Sequence, residues 1–179
     1  LFGEHLQQCI QEAKDLHLPF FINANITDPH RPFRTNEDAT KTPNNQGKKR
    51  ANQQEADHSL PMVSVDEITV PSFLEDLPEV RREVAEYYSS IRRFDASFGE
   101  AMMALQRSGL SESTLVLFLS DHGMSFPFSK ATVYRNGTWS PVLIRWPGMP
   151  EPQTHQEWVT SVDILPTLLD ILKLPYPSE

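Results

Sequence analysis

The sequence predicts an α/β fold with a largely parallel central sheet flanked by helices, and three observations carry that prediction. Apolar runs of strand length occur at "PFFINANI" (19–26), "TLVLFLS" (114–120) and "PVLIRW" (141–146). Segments of helical period stand before, between and after them. Strands alternating with helices in one chain are what a parallel sheet with helical crossovers requires.

Each element has a local reason. Residues 3–16 place Leu6, Ile10, Ala13 and Leu16 on one helical face. "PFFINANI" is rich in Phe and Ile and predicts a strand. From 27 to about 77 no period is sustained, and Pro, Asn, Asp and mixed charges dominate. A stretch of that size inside a compact domain predicts a surface loop or lid, with 35–70 as its least determined part. Pro78 suits a first helical turn, and Val80, Val84, Tyr87, Ile91, Phe94, Phe98, Met102 and Leu105 then keep an apolar stripe until Ser108-Gly109 stops it. That stripe is core packing rather than a cofactor box. "TLVLFLS" predicts a strand buried on both faces, and "SVDILPTLLDILKL" (161–174) a helix that tolerates Pro166 near its start.

Composition narrows the class. A chain of 179 residues, 39% hydrophobic and 22% charged, is globular and about one domain in size, so 1–179 is read as a single domain. A net charge of −8 without a Lys/Arg-rich face argues against nucleic acid as a partner. No apolar run approaches the roughly 18 to 20 residues of a membrane span. Leu1-Phe2-Gly3 has neither an initiator Met nor the basic and apolar regions of a signal peptide, so the chain is read as truncated at its amino terminus. Cys9 is the only cysteine, which excludes an internal disulfide and a cysteine metal cluster; its helical setting makes it a packing or surface residue.

The chemistry concentrates at strand ends. In open α/β sheets ligands gather beyond the carboxyl ends of the strands, where Asp121-His122-Gly123 follows "TLVLFLS". A carboxylate and an imidazole on adjacent residues can turn toward one divalent cation while the glycine lets the backbone bend. "NITDPHRPF" repeats the arrangement, with Asp28, His30 and Arg31 just past the first strand and Pro29 and Pro32 stiffening the loop. Taken singly, Asp-His-Gly also fits an Asx-bonded turn, His30 a hydrogen-bonded loop histidine and Lys130 a solvated charge. Taken together, a cation, a histidine and a lysine at one sheet edge form an anion site.

"PFFINANITDPHRPF", "TLVLFLSDHGMSFPFSKATVYRNGTWSPVLIRWPG" and "VTSVDILPTLLDILKLP" together resemble the sulfatases of the alkaline phosphatase superfamily, nearest the heparan N-sulfatase-like (N-sulfoglucosamine sulfohydrolase-like) branch. The resemblance runs from about Pro19 to Pro175, and it implies an alkaline phosphatase-like fold. It implies that Asp121 is a metal ligand and that His122 stands where many members have an asparagine ligand. One divalent ion, calcium, is the implied cofactor, although an imidazole leans toward zinc or manganese. It further implies that His30 and Lys130 are catalytic and touch the sulfate, and that Arg31 helps bind it.

The family's C-x-P-S-R type motif, whose cysteine or serine becomes formylglycine, is missing from these residues, as are two further aspartate ligands. The resemblance therefore implies the carboxyl-terminal part of a catalytic domain, with the formylglycine nucleophile upstream and with the fragment alone inactive. The implied reaction is hydrolysis of a sulfate ester or sulfamate on a sulfated small molecule or glycan, in a periplasmic, secreted or lysosomal setting. Two alternatives stay open: a zinc phosphodiesterase of the same superfamily, which shares the Asp-His-Gly-Met element, and a non-catalytic saccharide-binding relative.

Overall fold

A computed structural model describes residues 2–35, 60–149 and 152–177. The chain divides into two compact units, 1–148 and 149–179.

In the first unit, α1 (Phe2–Asp15) packs along α2 (Pro78–Ser108). Ile10, centred in the predicted apolar stripe, is buried there. Gly3 donates to Glu100 Oε2 at 3.3 Å, and the Lys14 ammonium donates to the Ser108 carbonyl at 2.8 Å, a favourable charge at the carbonyl end of a helix. Pro78 occupies the first turn of α2, and Gly109 closes it in the left-handed conformation at φ 76°.

The core forms on the first half of α2. Val84 and Ala85 pack with Phe33, Ile68 and Phe126, joined by Val63, Val70, Leu74, Tyr87 and Met124. Residues 60–77 are irregular but anchored: Ile68 is buried, and Val63 N–H donates to Ser89 Oγ at 2.9 Å. That part of the predicted surface loop is therefore core, because its apolar side chains find the α2 face. The rest of the predicted loop or lid, 36–59, lies outside the described residues.

The sheet differs from expectation. β1 (Val116–Leu119) and β2 (Val142–Arg145) pair antiparallel, with Val116 opposite Arg145 and Leu119 opposite Val142. A parallel pair needs a long crossover, usually a helix, and the segment between these strands holds only the single turn α3 (Arg135–Thr138) before returning. Phe118 packs on Phe94 and Phe98 of α2 at ring-centroid distances of 5.7 and 5.5 Å. β1 is therefore covered on one face, not two, and Leu119 is exposed. Residues 19–26 form no strand, since no described neighbour offers a ladder to their β-propensity, and Phe21 is exposed.

The second unit carries a 3₁₀ turn (Ser161–Asp163) leading into α4 (Ile164–Ile171). Thr160 and Asp163 form a reciprocal capping box, with Thr160 N–H donating to Asp163 Oδ2 at 2.7 Å. Pro166 sits in the first turn of α4, where its missing N–H has no partner to lose. Among the described residues no helix is long and apolar enough to cross a membrane.

Candidate functional site

The "DPHRPF" loop is bolted to α2. Both Asp28 carboxylate oxygens accept from Arg93, at 2.6 Å each, in a largely buried bidentate pair. Buried Ser90 accepts from the Arg34 N–H at 2.8 Å and donates to the Glu86 carbonyl. Between these anchors stand His30 and Arg31. His30 N–H closes a turn onto the Thr27 carbonyl at 2.9 Å, and its Nδ1 lies 2.6 Å from the Arg31 carbonyl. A carbonyl only accepts, so Nδ1 carries the proton and Nε2 is the free nitrogen of this exposed ring.

The second loop leaves β1 at Asp121 and folds tightly on itself. Gly123 N–H donates to the Gly137 carbonyl at 3.0 Å, and an added Cβ at Gly123 would come within 1.8 Å of the Asn136 carbonyl oxygen. Buried Ser129 donates to that same Asn136 oxygen at 2.7 Å, and Lys130 N–H donates to the Met124 carbonyl at 3.1 Å. Phe128 and Ala131 flank Lys130 at φ 61° and 62°, a left-handed conformation costly for side-chain-bearing residues and kept only where the surroundings over-determine it. Among the described residues the Lys130 ammonium has no hydrogen-bond or ion-pair partner.

Asp121 and His122 do meet. His122 Nδ1 lies 2.7 Å from the Gly123 carbonyl, which fixes the proton on Nδ1. Nε2 then presents its lone pair 3.3 Å from Asp121 Oδ2, and two acceptors so close call for a cation, either a proton or a metal ion. A backbone carbonyl on the distal nitrogen is the usual way a metal-binding imidazole is oriented. The 3.3 Å separation suits neighbouring ligands of one ion, since right-angled ligands about 2.4 Å from calcium and tetrahedral ligands about 2.0 Å from zinc both give spacings near it. The pair fits a divalent ion and does not choose between the two. Among the described residues no group of three or more His, Cys, Asp or Glu converges, so these two supply part of a coordination sphere.

Arg31 ties the loops together. Its Nε and Nη2 both donate to the Ser125 carbonyl, at 3.0 and 2.9 Å, and its Nη1 pairs with Glu83 of α2. The guanidinium also lies over Phe33 and Phe126, 4.4 and 5.3 Å from their centroids, and those two rings stack at 5.6 Å. Sequence reasoning placed Asp28, His30, Arg31, Asp121, His122 and Lys130 on these two loops but missed Glu83, Arg93 and Ser125. For Asp28 the sequence indicated a loop carboxylate past a strand-like run and not its pairing with Arg93. Glu83 and Arg93 gave no signal, because a charged residue on the polar side of a helix looks like any solvated one. The concavity lined by Gln8, Gln11, Glu12 and Asp15 of α1 and by Leu16 just past it contains none of these residues.

The model of the family described as "Sulfatase" matches residues 2–174, spanning both units. The chain is 34% identical over 114 residues to N-sulphoglucosamine sulphohydrolase of Homo sapiens, covering 63% of this chain and 23% of that protein. It is 30% identical over 171 residues to an ulvan-active sulfatase of Formosa agariphila, covering 86% and 29%. An endo-4-O-sulfatase of Bacteroides thetaiotaomicron is 30% identical over 175 residues, covering 93% and 32%. The chain thus spans between 23% and 32% of the length of these relatives. A solved structure described under metabolism of multiple glycosaminoglycans by the same bacterium shares the fold at a TM-score of 0.71, with 23% identity over 96% of this chain and 34% of that one. The chain belongs to the sulfatase family.

Proposed function

We propose that this chain supplies the metal-binding and anion-gripping half of a hydrolase site for sulfate esters or sulfamates. The observation that carries the reading is the joining of the two loops: Arg31, next to His30, donates twice to the Ser125 carbonyl, close along the chain to Asp121 and His122. Asp121 and His122 would hold a divalent ion, calcium, together with ligands from outside residues 1–179. When bound, that ion draws electron density from the sulfuryl oxygens. Lys130 offers a full positive charge to the same oxygens as they gain charge in the transition state. His30, its ring held by the Nδ1–H bond to the Arg31 carbonyl, turns Nε2 to the leaving group and, when protonated there as well, donates to the leaving oxygen or nitrogen and orients it. The nucleophile, a formylglycine, comes from outside these residues.

The substrate class we favour is a sulfated saccharide, in keeping with the names of the relatives. Incubating the full-length protein with a chromogenic aryl sulfate, an O-sulfated glycan and N-sulfoglucosamine tests it. Release of sulfate from at least one is expected, and turnover of phosphodiesters alone would overturn it. An exported location, periplasmic, secreted or lysosomal, accompanies this reading. Recovery of the full-length protein solely from the cytosol would contradict that part.

A further inference from the structure

We infer that Arg31 is a positioning residue that locks the anion-gripping loop to the metal-binding loop, with Glu83 of α2 setting its orientation; this rests on the reading of the two loops as one site. As a substrate-binding group Arg31 would need its donors for the sulfate. Three of its five N–H groups are already engaged, two on the Ser125 carbonyl and one on Glu83. Its flat cation is further held over the Phe33 and Phe126 rings, one contributed by each loop. Every one of these contacts joins protein to protein. Ser125 is four residues beyond Asp121, inside the turn that Gly123 and Gly137 close, so the pull of Arg31 on its carbonyl sets where the metal ligands lie.

The consequence separates two roles. A direct sulfate ligand acts on substrate affinity and leaves the metal indifferent. A loop coupler acts on the metal ligands, and losing a partner that orients them typically costs 10- to 100-fold in affinity or activity. In the full-length protein, calcium affinity by chelator competition, kcat and KM on an aryl sulfate, and Tm would be measured for wild type, Arg31→Ala, Arg31→Lys and Glu83→Ala. Expected for Arg31→Ala are a loss of calcium affinity of roughly 10-fold or more and a parallel fall in kcat, with KM nearly unchanged. Glu83→Ala should shift both in the same direction by less, and Arg31→Lys, which keeps the charge but not the fork, should recover only part. A rise in KM alone with calcium affinity intact would overturn the inference in favour of direct sulfate binding. A lowered Tm with calcium affinity and kcat intact would overturn it in favour of a purely structural role. If Arg31→Ala does not fold, folded Glu83→Ala decides, since unchanged calcium affinity and kcat there would contradict the coupling. A wild type that hydrolyses no sulfate would refute the proposed function, while the calcium measurements would still decide the role of Arg31.

Discussion

Gly123 shows how little freedom the site loop has. Its backbone passes so close to Asn136 that an added methyl would fall 1.8 Å from a carbonyl oxygen and 2.7 Å from Ser129 Oγ. Neither neighbour can swing away cheaply, because Ser129 is fully buried and donates to that same carbonyl. Gly123→Ala should therefore cost about 1–3 kcal/mol by forcing the two backbone segments apart, and should lower calcium affinity by moving His122. Thermal denaturation and chelator competition on the full-length protein check this; an unperturbed variant would mean the two segments are not in contact. Lys130 and His30 predict the opposite pattern. Neither side chain contributes to the core, so Lys130→Ala and His30→Ala should keep Tm and lose roughly 10²-fold in turnover, the usual scale for one preorganised charge or hydrogen-bond donor. Full activity in Lys130→Ala would remove that residue from the site.

At the scale of elements, α2 is the scaffold on which both loops are mounted. Arg93, Ser90 and Glu83 each hold a part of 28–34, while Val84 and Tyr87 pack against Phe33 and Phe126. Tyr87 lies 5.3 Å from Phe33 and 5.6 Å from Phe126, ring to ring, and burial there, with a smaller push from Tyr88, raises its pKa above the ordinary 10.0. The folded state then keeps the phenolic proton at a pH where the unfolded chain has begun to release it. The resulting stability is fully present below pH 10 and is lost as pH rises through the folded pKa. Urea midpoints from neutral to strongly alkaline pH should fall less for Tyr87→Phe than for wild type, with similar midpoints at pH 7; parallel alkaline falls would contradict the burial. The helices were legible because their period is local: Val80 to Leu105 needs no knowledge of the rest of the chain. Strand direction was not, because it depends on whether the connection crosses over, and 120–141 folds back through one helical turn instead. The place of Asp121 and His122 was legible, because the apolar run 114–120 predicts the strand that they follow. The site's mounting was not, because Arg93 and Glu83 reveal their partners only in three dimensions.

At the scale of the molecule, each unit displays apolar side chains that soluble proteins cover. Val133 is 93% exposed in the first, and Trp158 is 98% and Val162 77% exposed in the second. Purified residues 1–179 should consequently bind a hydrophobic dye such as ANS and aggregate at modest concentration. They should also show no sulfatase turnover, because Asp121 and His122 fall short of the six to eight ligands that calcium takes and no C-x-P-S-R type motif is present. Metal-dependent turnover by residues 1–179 alone would place the nucleophile inside them.

Metal reconstitution of the full-length protein tests whether these residues provide the calcium-binding and sulfate-gripping half of a sulfatase site. After chelation, aryl sulfate turnover would be followed as calcium or zinc is returned to wild type and to Asp121→Ala. Calcium should restore the wild type and zinc should not, and neither should restore Asp121→Ala. Two tightly held zinc ions, with phosphodiester turnover in place of sulfate release, would contradict a calcium-dependent sulfatase site.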